Sequence, residues 1–139
     1  MDRATVLYDA DCGFCRWSTE RLRVWDRHRA LRFVPLQHRE VDRLLHDLSP
    51  ERRAASWHLV EPDGSIRSAG AAVPPLMRRL PAGTPIAALA ESMPRLTDRV
   101  YAAVARRRSM LGSLLGRQSC DVHPTRASTT GPAPRDAGR

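Results

Sequence analysis

The chain has 139 residues, 42% of them hydrophobic, enough for one domain with a modest core and too little for a second. Its formal charge of +8 comes entirely from arginine, since lysine is absent; the arginines are scattered and aromatic residues are few, so a solvated cationic surface is expected rather than a nucleic-acid footprint, even at Arg52-Arg53, Arg78-Arg79 and Arg106-Arg107-Arg108. No apolar run approaches the roughly 20 residues of a membrane span, and the first residues lack a basic segment followed by a long apolar stretch, so a cytoplasmic protein with no membrane partner is expected.

Ala4 to Tyr8, ATVLY, is a short apolar run with β-branched members that ends in acids and a glycine, the pattern of a buried strand entering a turn. A helix is expected from Cys15 to about His28, with Trp17, Leu22 and Trp25 among charged residues. Leu31 to Leu36 reads as a second strand with Pro35 at its exit. Val41, Leu44, Leu45 and Leu48 mark one face of a helix from Arg39 to Leu48, which Ser49-Pro50 stops. Ser56 to Ser68 reads as a hairpin around Pro62-Asp63-Gly64.

Gly70 to Leu80 reads as a helix with Pro74 or Pro75 in its first turn. Thr84 is placed as the cap and Pro85 as the first residue of another helix, ending before Pro94. A long helix is then expected from Leu96 to Leu115, its apolar residues closing over one face of the domain. Residues 121–139 are rich in proline, glycine, serine and threonine and read as a disordered tail, leaving 1–120 as the folded domain. Strand, helix and strand at the start imply a right-handed parallel crossover, and the hairpin adds antiparallel strands to the same sheet. The expected fold is α/β and thioredoxin-like: a small mixed sheet of about four strands flanked by helices, with extra C-terminal helices.

The turn after the first strand carries YDADCGFC, residues Tyr8 to Cys15. In a reducing compartment two close cysteines are more often catalytic, redox-sensing or metal-binding than structural. Cys12 falls at or just before the helix start, where unpaired N–H groups and the helix dipole favour a thiolate, and Cys15 follows one turn on. An exposed Cys12 then attacks a substrate disulfide and Cys15 resolves the mixed disulfide. Gly13 lets another chain approach, and Phe14 offers an apolar contact. Asp11 is a candidate helix cap; Asp9 either accepts a proton from Cys15 or holds the turn.

Asp9-x-x-Cys12-x-x-Cys15 after VLY resembles the signature of the DCC family of predicted thiol-disulfide oxidoreductases, named for those three residues. HLVEPDGSIRSAGAAV is similar to the family's hairpin and following helix, and DRVYAAVARRRSMLGSLLG to its C-terminal helix, so the resemblance spans about residues 4 to 120. It implies a thioredoxin-like fold and a redox role for the motif. Better-known thioredoxins place a proline before the third strand to grip substrate backbone. Here Ala55-Ser56 precedes Trp57, so substrate is expected to be held by Trp57 or Ser56 and specificity to be narrow.

Other readings of the same residues stay open at this level. Cys12, Cys15, Cys120 and His123 make a Cys₃His set with zinc spacings. Asp9-x-Asp11 after a hydrophobic strand matches the nucleophile turn of haloacid dehalogenase-like phosphatases, without their lysine and acidic pair. A non-enzymatic redox switch that docks a partner on the last helix fits as well. His58 lies in the hairpin, as a packed strand residue or a base for Cys15. No metal is assigned, and with no glycine-rich nucleotide loop no cofactor is expected. The partners expected are a disulfide-containing protein or small-molecule thiol substrate and a thiol electron donor.

Overall fold

The computed structural model describes residues 3–115. Four strands form one mixed sheet in the order β2-β1-β3-β4. Strand β1 (Ala4–Tyr8) runs parallel to β2 (Leu31–Pro35), with Ala4 opposite Leu31 and Tyr8 opposite Pro35. On its other side β1 pairs antiparallel with β3 (His58–Val60), which pairs antiparallel with β4 (Ile66–Ser68). A parallel crossover followed by an antiparallel hairpin is the thioredoxin-like topology, so the expected fold is the one observed.

The alternation of side chains across the strands makes two cores. Ala4, Val6, Leu31 and Leu59 point to one face, where Leu22 and Trp25 of α1 (Gly13–Trp25) and Leu76 of α4 (Val73–Arg79) cover them. Leu7, Val34 and Val60 point to the other, under Val41 and Leu44 of α2 (Arg39–Leu44) and the following Leu45. Trp25 also donates its indole N–H to the Pro81 carbonyl at 2.9 Å, tying α1 to the chain beyond α4.

Several boundaries differ from expectation, each for a local reason. Helix α1 starts two residues early because Cys12 is its N-cap. It stops at Trp25 because Asp26 turns its carboxylate onto the backbone N–H groups of Ala30 and Leu31, both at 2.9 Å, closing the connection to β2. Helix α2 ends at Leu44 rather than Leu48. Ser49-Pro50 is not merely a stop: Ser49 accepts from the Arg52 N–H at 3.4 Å and Pro50 opens α3 (Pro50–Ala55), a helix the sequence reading missed. The segment after the hairpin divides into a 3₁₀ turn, Ala69–Ala72, and α4. Gly83, not Thr84, is at the cap of α5 (Thr84–Ser92).

The expected last helix is two. Pro94 opens α6 (Pro94–Arg106), and the chain bends at Arg107 into α7 (Arg108–Leu114). Helix α6 lies on the 3₁₀ turn, so closely that a Cβ on Gly70 would collide with the Asp98 side chain, while α7 packs on α1 with Gly112 buried. The bend lets the two helices serve these two supports. It also overturns the expected burial: α6 turns Thr97, Tyr101 and Ala105 inward, and Leu96 and Val100 remain 50% and 56% exposed. Of the arginines singled out for charge, Arg53, Arg78 and Arg79 pair with Asp42, Glu91 and Glu61.

His58 is a packing residue. It is 1% exposed, with Nε2 3.0 Å from the Arg53 carbonyl and Nδ1 2.6 Å from Ser68 Oγ. A carbonyl only accepts, so Nε2 carries the proton and Nδ1 accepts from the serine. Burial pushes its pKa down from the usual histidine value, against a smaller opposing effect of the Arg53 hydrogen bond. The unfolded chain therefore binds a proton at higher pH than the fold does, and stability falls as pH drops below about 6.5. Denaturant unfolding at pH 7.5 and 5.5 should show this loss, and a His58→Gln variant, less stable by about 1–2 kcal/mol at pH 7.5, should lose less of its remaining stability over the same interval.

Candidate active site

The site grows from the carboxyl end of β1. Past Tyr8 the chain turns through residues 9–12 before α1, and the turn is held by a side chain from the neighbouring strand's exit. Gln37 Nε2 donates to Asp9 Oδ1 and to Asp11 Oδ2, each at 3.0 Å, while its Oε1 accepts from the Ala10 N–H at 3.3 Å. Asp9 Oδ1 also accepts from the Asp11 N–H at 3.0 Å. Asp11 therefore does not cap the helix.

The cap is a sulfur. Cys12, with φ −86° and ψ 115°, accepts from the Cys15 N–H at 3.3 Å. The Cys15 thiol donates to the same atom, with 2.6 Å between the two sulfurs. Both cysteines are free thiols, brought together at the helix opening as the spacing requires. Their accessibility departs from expectation. Cys12 is buried, with 9% of its surface open, whereas Cys15 is half-buried and faces a cavity that Cys12 does not line. Serving as cap turns the Cys12 sulfur toward the backbone, which accounts for its small exposure.

Burial pushes the Cys15 thiol far up in pKa; its hydrogen bond to Cys12 and negative charge on that sulfur push the same way, Arg108 opposes them, and the Asp9 carboxylate adds to them. The cavity has a volume of about 150 Å³. Phe14 and Trp57, expected at the site, are both in its wall, and Asp9 reaches its edge. Phe14 also stacks on Trp17, ring centroids 6.0 Å apart, and Trp57 packs on the core. Gly13 is buried in the first turn of α1.

Three residues of this site escaped the sequence reading. Gln37 was legible in principle: β2 lies beside β1 with Pro35 opposite Tyr8, so the residue two past Pro35 emerges next to the motif turn. Tyr101 and Arg108 come from α6 and α7 and carry no local signature. The Tyr101 hydroxyl meets the Trp57 backbone and the Ser56 side chain; burial raises its pKa against those two contacts, and Arg108 lowers it. His58 is on the other core face and is no base for Cys15. Cys120 and His123, needed for the Cys₃His reading, lie outside the described residues, among which no cluster of three or more His, Cys, Asp or Glu side chains is placed to hold a metal.

Two adjoining thiols thus sit at the first turn of a helix, at the carboxyl end of a thioredoxin-like sheet. The chain belongs to the DCC1-like thiol-disulfide oxidoreductase family, whose model matches residues 6–114. Comparison with curated proteins and with solved structures gave no significant match. Membership supplies a general thiol-disulfide oxidoreductase function, and the phosphatase reading of Asp9 and Asp11 gives way to it.

The charge relation between the sulfurs is open to test by alkylation. Because Cys12 helps hold the proton on Cys15, a Cys12→Ser variant should alkylate at Cys15 at lower pH than the wild-type protein does, and Asp9→Asn should move the wild-type profile the same way by a smaller amount. Iodoacetamide labelling across pH 7 to 11, mapped by peptide mass, measures both.

Proposed function

We propose that the protein catalyses thiol-disulfide exchange with Cys12 as the attacking thiolate and Cys15 as the resolving thiol. The observation that carries this reading is the hydrogen bond at the positive end of α1: the backbone N–H of Cys15 donates to Cys12 Sγ, and the Cys15 sulfur lies beside it. A helix N-terminus and a donated N–H favour a thiolate at this position. Cys12 is 9% exposed, so the attack requires the helix opening to move and bare its sulfur.

In the first step the Cys12 thiolate displaces one half of a substrate disulfide, which leaves as a thiolate and is protonated by solvent; Cys12 keeps the other half as a mixed disulfide. That bond removes the charge that helped hold the Cys15 proton. Cys15 then deprotonates toward Asp9 or solvent and attacks Cys12 Sγ, releasing the second half as a thiolate. The substrate gains two electrons and the protein is left with a Cys12–Cys15 disulfide. A thiol donor restores the pair, so no further cofactor enters this cycle.

Gly13, next to Cys12, and Phe14 are the substrate contacts of this scheme, Trp57 meets whatever enters the cavity at Cys15, and Asp9 is one acceptor for the Cys15 proton. The substrate is a disulfide-bearing protein or small molecule. Free close cysteines suit a reducing, cytoplasmic setting, and no helix among the described residues is long and apolar enough to cross a membrane.

Cys15→Ser should accumulate a one-to-one mixed disulfide on Cys12 when offered a small disulfide, and Cys12→Ser should fall to the uncatalysed background rate. Intact mass and a dithiothreitol-coupled turnover assay check these. Turnover retained by Cys12→Ser would assign the attack to Cys15 instead.

A further inference from the structure

The cavity at Cys15 is built from distant parts of the chain. Val6 of β1 and Phe14 of α1 meet Trp57 at the entry to β3, and α6 and α7 close the space with Tyr101 and Arg108. A cavity of about 150 Å³ with mainly apolar walls is large enough for a body the size of a benzene ring. The backbone beside it is already engaged: the Tyr101 hydroxyl meets the Trp57 backbone, and the Trp57 carbonyl accepts from the Ala69 N–H at 3.3 Å. A peptide substrate finds little backbone there to pair with. Arg108 donates to the Ala54 carbonyl at 3.3 Å and has no carboxylate partner among the described residues, yet it lies close enough to bias both Cys15 and Tyr101 toward negative charge. A half-buried guanidinium with no carboxylate partner among the described residues, in the wall of a mainly apolar cavity, suits one anionic group on an otherwise apolar molecule.

We propose that this cavity is the docking site of the electron donor: a low-molecular-weight thiol with an apolar body of about benzene size and one carboxylate, which Arg108 receives while the donor sulfur meets Cys15 of the oxidised pair. The proposal rests on the oxidoreductase reading above and names the donor class for the same dithiol. The cavity gives onto Cys15 and not Cys12, so reduction starts on a different sulfur from substrate attack. The donor thiolate bonds to Cys15 Sγ, the Cys12–Cys15 bond breaks, and Cys12 leaves as a thiolate into the position where the Cys15 N–H donates to it. A second donor thiolate attacks the donor sulfur of the mixed disulfide. Cys15 leaves and takes a proton from solvent, and the donor departs as its symmetrical disulfide. Two donor thiols lose two electrons in total, and the protein gains them.

The test uses the full chain, oxidised at Cys12 and Cys15, and three thiols with the same ring: 3-mercaptobenzoate, neutral 3-mercaptophenol and cationic 3-(aminomethyl)thiophenol. Each reduction rate is divided by that thiol's rate with a small model disulfide, which removes intrinsic reactivity. The carboxylate should be favoured about tenfold over the neutral ring and more over the cation, and Arg108→Gln should abolish that preference. Quenching early with iodoacetamide should place the donor on Cys15 and the alkyl group on Cys12. If Arg108→Gln does not fold, the wild-type charge series and the site of the adduct decide the matter alone. Equal normalised rates, or a donor adduct on Cys12, overturn the proposal and leave the oxidoreductase reading intact. A pair that dithiothreitol and a small disulfide cannot cycle overturns that reading, and this proposal with it.

Discussion

The structure turns on a sulfur occupying the N-cap of α1. Caps are usually Ser, Thr, Asp or Asn because an oxygen accepts from an N–H two or three positions on. Cys12 takes that role, and the N–H it receives is that of Cys15. The third residue of a helix is also the one whose side chain naturally reaches back to the cap, as in a capping box. The Cys-x-x-Cys spacing is therefore the spacing of helix capping, with thiols in place of hydroxyl and carboxylate. One local geometry opens the helix, brings the sulfurs to 2.6 Å and decides which donates.

Around that core the protein makes two additions. Gln37, arriving from the parallel strand, holds both acids of the motif turn with a single carboxamide, so the turn does not depend on the helix to fix its shape. The C-terminal helices then lie over the second sulfur. Because α6 rests on the 3₁₀ turn and α7 on α1, Tyr101 and Arg108 are brought into the wall of the cavity at Cys15 by two separate supports. The first cysteine belongs to the helix end and the second to a walled space, which gives two chemically similar thiols different surroundings.

The sequence disclosed what is local and strongly patterned. The β-branched run of β1, the proline-glycine turn of the hairpin and the dithiol at the first strand's exit were each legible, because in each case the deciding interaction lies within a few residues. Gly64 adopts φ +84° in that turn, a conformation that favours glycine. Reading failed where distant packing decided. The helical spacing of apolar residues from Leu96 to Leu115 implied one helix closing over the domain, but α6 meets the 3₁₀ turn closely at Gly70, and the chain bends at Arg107 so that α7 packs on α1. Arg108 was hidden in a run of three arginines whose composition implied only solvation. The accessibilities of Cys12 and Cys15 could not be ordered from spacing, since Cys12 is turned inward as the cap and the surroundings of Cys15 depend on α6 and α7.

The order in which these parts occur along the chain has a consequence for synthesis. The sheet, the capped helix and both sulfurs are encoded ahead of Tyr101 and Arg108, so a nascent chain presents its reactive turn uncovered while the ribosome is still making the segments that will roof it. Until the last helices settle, the Cys12–Cys15 pair lacks the cavity wall that Tyr101 and Arg108 supply.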